Sequence, residues 1–316
     1  MTSRPSVERA PTVSVLLPVH NGARYLSVAV QSVLSQTFKD FELLVMDDGS
    51  TDESLAILWG YERIDPRVKA YHTENKGVSS AINSLINLAR GKYLARMDAD
   101  DCCLPARLKA QLKFLEQHPD HVAVGSWVQL MTEGGLPIGT LKLPIKHEEI
   151  DRLNLEGHVS LAHPSVMMRA SALDASDIYS PQFEVAEDLD LWLRLAEVGK
   201  LANLPEVLLK YRLTADSLSV RGQDKGLSLV RFACEEAYRR RGIKGRTTIS
   251  KHWRPSPDRN SLHEYAVRYG WMAWSNNYRQ TWRHFVRQAL ELRPFAVSTW
   301  RLIVFGWLKR PSARDE

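Results

Sequence analysis

The regular alternation of apolar runs with amphipathic segments in the first 120 residues constrains the fold most. Residues 13–19 and 41–46 are nearly continuous apolar runs, which are typical of strands covered on both faces. Shorter apolar runs at 68–71 and 93–97 continue the series, and residues at helical spacing separate them. The alternation predicts an α/β fold with a mostly parallel, Rossmann-like central sheet and helices on both faces.

Polar residues follow three of these runs where each predicted strand ends. They are His20 and Asn21, then Asp47 and Asp48, then the acidic segment 98–101. Ligands of parallel sheets bind beyond the carboxyl ends of the strands. We therefore expect the three groups to converge on one crevice.

The acidic segment contains Asp98, Asp100 and Asp101. Like charges at this spacing repel each other unless a cation or a hydrogen-bond donor lies among them. Carboxylate oxygens are ligands that Mg²⁺ and Mn²⁺ prefer. The alternative is an Asp-rich turn that caps the helix starting near Pro105, but the predicted convergence favours a metal site.

After residue 120 the pattern becomes mixed. The remaining predicted elements are a strand pair (122–131 and 138–143), a short helix (148–155), a strand (166–168), an amphipathic helix opening at 187–188 and a last strand (207–211). We expect one domain over 1–218.

Residues 219–316 differ in charge from the rest of the chain. They hold 20 of the 42 Lys and Arg residues but only 8 of the 37 Asp and Glu residues, a net charge of +12, and six of the nine Trp residues. Helices broken by glycines and prolines are predicted here, and we expect them to pack on the first domain. The chain shows no signal peptide and no run of 18 apolar residues, and its three cysteines suggest a reducing compartment, so we expect a cytoplasmic location.

Ten short motifs resemble family 2 glycosyltransferases, and the resemblance covers about residues 11–220. In order they are Val-Ser-Val-Leu-Leu-Pro-Val-His-Asn at 13–21, Ser-Gln-Thr-Phe at 35–38, Phe-Glu-Leu-Leu-Val-Met-Asp-Asp-Gly-Ser-Thr-Asp at 41–52, and shorter blocks at 75–77, 81–83, 89–93, 97–101, 163–165, 187–188 and 211–212. The resemblance implies an inverting enzyme with a GT-A fold that uses nucleotide-activated sugars. The subgroup is similar to bacterial enzymes of surface polysaccharide or lipopolysaccharide synthesis.

The resemblance also implies roles for individual residues. Asp100 matches the metal ligand for Mn²⁺ or Mg²⁺, and Asp98 the residue near the ribose and the metal. The base and ribose would contact residues at the first two strand ends, namely Pro18, His20, Asn21 and Asp48. Many relatives have Tyr at position 20. Two alternatives therefore stay open for His20: it stacks on the base, or it is a loop histidine without a role. Asp47 is expected to cap the turn at Gly49 and Ser50 instead.

Four more positions match motifs of nucleotide-sugar binding. Asn75 and Asn83 are two, although Asn83 has the alternative of a backbone contact near the sheet. Arg96 would most simply pair with Asp98, and its alternative partner is the donor sugar. Arg212, together with Ser217, resembles an element that folds over the donor phosphates, where the guanidinium would neutralise the diphosphate.

The predicted catalytic base is Asp188, with Glu187 orienting it or the acceptor. A helix N-terminus favours the ionised carboxylate that a base requires, and the alternative is plain helix capping. His163 precedes a proline, so we expect an extended backbone there and a contact with acceptor, diphosphate or metal. A histidine at the edge of the core is the alternative.

The leading hypothesis is an inverting, metal-dependent transfer from a UDP-sugar to a glycan or lipid-linked acceptor. A nucleotidyltransferase is a second hypothesis, but the loop at 19–24 lacks the Gly-rich character of that class. A catalytically inactive sugar-nucleotide-binding protein is a third, and the intact Asp98, Asp100 and Asp188 argue against it. The apolar, Trp-containing segment 295–310 predicts peripheral contact with the inner face of the plasma membrane. No nucleic-acid partner is expected.

Overall fold

A computed structural model of the chain describes residues 9–173, 178–183, 185–214, 223–249 and 258–308. Its strands are β1 (Val13–Val19), β2 (Phe41–Asp48), β3 (Val68–Thr73), β4 (Tyr93–Arg96), β5 (Cys102–Cys103), β6 (His121–Met131), β7 (Pro137–Leu141), β8 (Met167–Arg169) and β9 (Lys200–Arg212). Its α-helices, renumbered in chain order, are α1 (Ala23–Leu34), α2 (Ser54–Ile64), α3 (Val78–Leu88), α4 (Arg107–Gln117), α5 (His147–Leu155), α6 (Glu187–Val198), α7 (Gln223–Arg241), α8 (Arg259–Ser275), α9 (Arg279–Leu292) and α10 (Val297–Leu308).

The strands form one sheet in the order β3-β2-β1-β4-β8-β6-β9-β5, with β7 paired to β6. The first four strands are parallel, and Val13 of β1 aligns with Phe41 of β2 and Tyr93 of β4. β8 runs antiparallel to both its neighbours, β4 and β6. The predicted α/β fold with a mixed second half is confirmed, and β1, β2 and β4 all end at the same edge.

Helices cover both faces of the sheet because the strands carry apolar residues on both sides. Val15 and Leu17 of β1 belong to one buried cluster with residues of α1, α2 and α4. Leu16, which points to the opposite face, belongs to a second cluster with residues of α3 and α6. Burial of each such side chain stabilises the fold by about 1.5–3 kcal/mol.

Three local predictions differ from the structure. β9 begins at Lys200 rather than at residue 207, and the two-residue strand β5 was not predicted. The expected extended backbone at His163 is wrong, because His163–Ser165 is a 3-10 turn in which the Ser165 amide donates to the Ala162 carbonyl at 2.8 Å. Proline fits the first turn of a helix, and this turn overrides the local preference of the residue before it.

The C-terminal helices pack on the rest of the molecule. Ala233 of α7 lies in a buried cluster with Leu189 and Leu193 of α6. The Thr281 hydroxyl of α9 donates to the Pro137 carbonyl of β7 at 2.7 Å. The expected packing on the first domain is therefore present, while the proposed boundary near 218 lies outside the described residues.

Two further sequence expectations concern the cysteines and the membrane. All three cysteines are free. In the described part of the chain, none of the helices combines the length and the apolar character that a bilayer span requires.

Candidate active site

The loops after β1 and β2 form a polar rim that is open to solvent. His20, Asn21 and Asn75 are exposed there. The His20 Nδ1 atom lies 2.8 Å from the Asp48 carbonyl oxygen, and the Asn75 amide nitrogen lies 3.3 Å from His20 Nε2. The Asn21 amide oxygen accepts a bond from the Thr51 amide at 2.8 Å. His20, Asn21 and Asn75, which are predicted to bind the nucleotide sugar, thus lie side by side. Pro18, in contrast, is buried inside β1.

The two aspartates that end β2 both hold turns. The Asp48 carboxylate is nearly buried and accepts bonds from the Lys76 and Gly77 amides, each at 2.9 Å. The Asp47 carboxylate accepts a bond from the Ser50 amide at 3.3 Å, which agrees with the turn contact expected for it. Asp48 therefore fixes the entry to α3, and its contact with a nucleoside stays a prediction.

The acidic segment after β4 brings three carboxylates together. Ligand oxygens of Asp98, Asp100 and Asp101 all lie within 4.8 Å of one another. Burial, and then the charge of Asp98, raises the pKa of Asp100 to about 6. Burial also raises the pKa of Asp101 well above its usual range. Burial is the largest cause of both pKa shifts, and the neighbouring carboxylate charges, which a bound cation would counter, add to it.

The donor set fits a hard divalent cation. All the clustered ligand atoms are carboxylate oxygens, the donors that Mg²⁺ and Mn²⁺ prefer. The Oδ2 atom of Asp101 is buried and has no hydrogen-bond partner among the described residues. Its other oxygen accepts a bond from the Arg212 amide at 2.8 Å, so Asp101 mainly supports the turn.

Arg96, the last residue of β4, contacts the acidic turn. Its guanidinium is buried, pairs with an Asp98 oxygen at 2.6 Å and donates to the Met97 carbonyl. The expected pairing with Asp98 is therefore present. Its contact with a donor sugar stays a prediction.

Glu187 and Asp188 are the first two residues of α6, and Ala186 occupies the N-cap position. Asp188 is thus not the capping residue, although one of its oxygens accepts a bond from the Leu189 amide at 2.7 Å. Burial, and then the charge of Asp188, raises the pKa of Glu187 to about 8. Arg96 lowers this pKa and Asp98 raises it, so the start of α6 and the acidic turn share one electrostatic environment.

His163 lies against a tyrosine that sequence reasoning missed. Its Nε2 atom is 2.9 Å from the Tyr179 hydroxyl, and its ring meets the edge of Trp192. Burial, assisted by Arg96, lowers the pKa of His163 well below its usual range, so the imidazole is neutral at pH 7. A buried tyrosine hydroxyl needs a partner, but nothing in the sequence indicates which residue provides it.

Asn83 holds the backbone of the same tyrosine. Its amide donates to the Tyr179 carbonyl at 2.8 Å and accepts from the Tyr179 amide at 3.0 Å. This contact is the backbone alternative that we considered for Asn83. Asn83 therefore holds the Tyr179 backbone in place, and its contact with a nucleotide sugar stays a prediction.

Arg212 contacts the backbone of the acidic turn and of the turn at Glu133. Its guanidinium donates to the Asp100 carbonyl at 2.7 Å and to the Glu133 carbonyl at 2.8 Å, and it stacks 4.3 Å from the centre of the Tyr25 ring. These bonds use Nε and one terminal nitrogen of the guanidinium, and the expected bidentate contact with a diphosphate stays a prediction. Ser217, predicted to act with it, lies outside the described residues.

The chain is similar in sequence to a known family and to individual proteins of it. The sequence model of the family described as glycosyl transferase family 2 matches residues 14–176. A putative glycosyltransferase, EpsE, from Bacillus subtilis is 36% identical over 67% of this chain and 76% of its own length. The O-antigen biosynthesis glycosyltransferase WbnJ from Escherichia coli is also 36% identical, over 64% of this chain and 79% of its own length.

Solved structures show the same architecture at low sequence identity. Residues 1–349 of Staphylococcus aureus TarS, in complex with UDP-GlcNAc, superpose with a TM-score of 0.60 at 17% identity, over 89% of both chains. The mannosyltransferase PcManGT from Pyrobaculum calidifontis, in complex with GDP-Man and Mn²⁺, gives 0.51 at 16% identity, over 95% of this chain and 80% of that one. From the family match, these relatives and the shared fold, we conclude that the chain is a glycosyltransferase of family 2 with a GT-A fold.

Proposed function

We propose that the enzyme transfers a sugar from a nucleoside diphosphate sugar to a hydroxyl of a glycan or lipid-linked acceptor, with inversion, in cell-surface polysaccharide synthesis. The observation that carries this proposal is the cluster of Asp98, Asp100 and Asp101 at the end of β4, next to the start of α6. WbnJ supports the pathway through its name. TarS with UDP-GlcNAc supports a UDP-sugar, and PcManGT with GDP-Man keeps GDP as the alternative.

Asp188 is the proposed base for a single displacement. The acceptor oxygen attacks the anomeric carbon, the bond from that carbon to the diphosphate oxygen breaks, and the acceptor proton passes to the Asp188 carboxylate. Its place in the first turn of α6 favours the ionised form. Glu187, protonated at pH 7, donates a hydrogen bond that orients Asp188 or the acceptor.

Asp98 and Asp100 would hold Mn²⁺ or Mg²⁺, with diphosphate oxygens and water filling the remaining positions. The bound metal would supply positive charge against the charge that develops on the leaving diphosphate. Arg96 keeps Asp98 in position for this contact. PcManGT, which was solved with Mn²⁺, supports the choice of metal.

The nucleoside would lie on the rim formed by His20, Asn21 and Asn75, above Pro18 and Asp48. These side chains offer ring and amide groups to solvent at the ends of β1 and β2. The neutral His163 would contact the acceptor or the diphosphate from the other side of Arg96.

The proposal is tested by nucleoside diphosphate release from a panel of nucleotide sugars with Mn²⁺ and acceptor. Asp188→Asn should lower kcat by about 10²–10⁴-fold and retain donor binding, since only the proton acceptor is lost. The matched control is Asp190→Asn, on the same helix, where the carboxylate pairs with Arg194 at 2.7 Å. Pyrophosphate release would instead indicate a nucleotidyltransferase, and donor binding without turnover an inactive binding protein.

The last part of the proposal is contact with the inner face of the plasma membrane through 295–310. Among the described residues, 17 large apolar side chains are exposed, and seven of these lie in 295–308. Thr299, Leu302 and Gly306 form the buried side of α10, so Trp300 and Trp307 point outward. The segment also contains Arg301 and leads into Lys309 and Arg310. Tryptophan with flanking basic residues suits an anionic bilayer surface.

Flotation with liposomes tests this contact. We expect the enzyme to float with vesicles that contain an anionic lipid and to float less with neutral vesicles. The double variant Trp300→Ser and Trp307→Ser should lose flotation, whereas Trp59→Ser, which removes an exposed tryptophan of α2, should retain it. Unchanged flotation of the double variant would contradict the contact.

A further inference from the structure

Two polar side chains on α4, Arg107 and Gln111, are fully buried. Arginine is rarely buried completely unless a carboxylate pairs with it. Here the donors of Arg107 go to neutral acceptors: Gln111 Oε1 at 3.1 Å, the Arg96 carbonyl at 2.6 Å and the Cys103 sulfur at 3.1 Å. In the described part of the chain, no carboxylate forms an ion pair with Arg107. A buried cation without a counter-ion is costly, so its placement calls for a specific reason.

Arg107 holds the strand that leads into the metal-ligand turn. The Arg96 carbonyl that it binds is the last one of β4, two residues before Asp98. The side chain of the same Arg96 pairs with Asp98. Through the Arg96 carbonyl, Arg107 therefore fixes the start of the acidic turn. The same bond fixes Arg96, whose side chain orients Asp98, the first carboxylate of the turn.

Gln111 extends the contact to the turn that carries His163. Its amide nitrogen donates to the Ser165 carbonyl at 2.6 Å and to the Val124 carbonyl of β6 at 2.9 Å. Ser165 is the last residue of the His163 turn. The Arg107 guanidinium also reaches the next carbonyl, that of Val166, at 3.4 Å. One arginine–glutamine pair thus joins two loops of the crevice that are far apart in sequence.

The geometry requires a guanidinium. Only its planar fork of donors can reach the Arg96 and Val166 carbonyls and Gln111 together, and a lysine ammonium cannot reproduce this pattern. Arg107 and Asp101 also act on the same thiol: burial raises the pKa of Cys103, the Arg107 charge lowers it and the Asp101 charge raises it.

We propose that Arg107 and Gln111 are positioning residues that set the metal-ligand turn at 98–101 and the His163 turn at a fixed distance from each other. They act through the backbone of Arg96 and Ser165 rather than by touching substrate. The inference rests on the proposed function, because it assigns the pair a role in metal binding at the proposed site.

The test measures the affinity of the intact protein for Mn²⁺ in the presence of UDP by electron paramagnetic resonance. Arg107→Lys should weaken Mn²⁺ binding about 10-fold or more, as expected for a residue that orients a metal ligand. Gln111→Met, which keeps the volume but loses the amide, should weaken it in the same direction. Circular dichroism establishes that each variant is folded, and if Arg107→Lys does not fold, Gln111→Met decides.

Asn203→Leu is the control for a loss of stability alone. The buried Asn203 amide also bridges two carbonyls, those of Pro144 at 2.7 Å and Ser160 at 2.9 Å. This variant should lower stability and leave Mn²⁺ affinity unchanged. An equal loss of affinity in Asn203→Leu would overturn the inference, as would wild-type affinity in both Arg107→Lys and Gln111→Met.

Asp100→Asn separates this inference from the proposed function. If the wild-type protein binds Mn²⁺ no more tightly than Asp100→Asn, the proposed metal site itself is wrong. If Asp100→Asn loses binding while both pair variants keep it, only the positioning role is wrong.

Discussion

At the scale of single residues, burial makes two carboxyl groups of the site harder to ionise. Asp100 and Glu187 both have raised pKa values, about 6 and about 8, and burial is the largest cause for each. Arg96 lowers both pKa values, and its guanidinium pairs with Asp98 at 2.6 Å. The crevice thus combines carboxyl groups that are costly to ionise with one buried cation, the Arg96 guanidinium, which limits the cost.

Removal of one metal ligand gives the first residue-scale prediction. Asp100→Asn takes one carboxylate from a cluster whose oxygens lie within 4.8 Å of one another. We expect the thermal stability of the metal-free protein to rise or stay equal, because like-charge repulsion falls, while stabilisation by added Mn²⁺ and UDP disappears. Thermal shift with and without Mn²⁺ measures both effects. Full stabilisation of Asp100→Asn by Mn²⁺ would show that Asp100 is not a ligand.

The raised pKa of Glu187 gives the second residue-scale prediction. Its usual value is 4.5 and the folded value is about 8, so between these pH values the folded state keeps a proton that the unfolded state has lost. The contribution of protonated Glu187 to the stability of the folded state is fully present below pH 4.5. It is lost as the pH rises through the folded pKa of about 8. Glu187→Gln should flatten the fall in melting temperature from pH 5 to pH 8, measured in EDTA. A variant with the wild-type slope would contradict the buried, protonated Glu187.

At the scale of elements, α9 is attached to the sheet through β6 and β7. Thr281 of α9 is buried and donates to the Pro137 carbonyl, and Gln129 of β6 donates to the Tyr278 hydroxyl at 3.0 Å. The turn between β6 and β7 reaches the crevice, because the Glu133 carbonyl accepts from Arg212 and its side chain pairs with Arg24. α9 is thereby connected to the site through this hairpin, whereas α7 packs directly on α6.

Thr281→Val tests this attachment. The isosteric change removes the hydroxyl and leaves the Pro137 carbonyl without this partner, at a cost of about 1–3 kcal/mol. Urea unfolding measures the loss of free energy. Ser275→Ala removes an exposed hydroxyl of α8 and should change stability by less than about 0.5 kcal/mol. Equal stabilities for the two variants would indicate that the contact does not hold α9 on β7.

At the scale of the whole molecule, the sequence predicts those features that follow from local pattern. Apolar runs such as 13–19 specify strands buried on both faces, and three strand ends with polar residues specify where the crevice lies. The motifs identified the family. These predictions succeed because a strand and its end are determined by the spacing of apolar and polar residues within a short stretch of sequence.

The sequence does not predict contacts between distant segments. The partners of Arg212 lie about 80 and 110 residues away, at Glu133 and Asp100, and Tyr179 meets Asn83 across 96 residues. Such pairings depend on how the strands are ordered in the sheet, which no local pattern encodes. For this reason the contacts of Arg212 with the Asp100 and Glu133 carbonyls were not predicted, and Tyr179 was missed.

The central claim is that carboxylates from separate segments meet at one edge of the sheet to hold a cation-bound diphosphate. Crystals grown with UDP and Mn²⁺ test it most directly, through the anomalous signal of manganese. The account predicts a peak between the Asp98 and Asp100 oxygens, with the diphosphate on its outer side and Asp188 facing the vacant sugar position. A manganese peak at any other group of ligands, with this cluster free of metal, would contradict it.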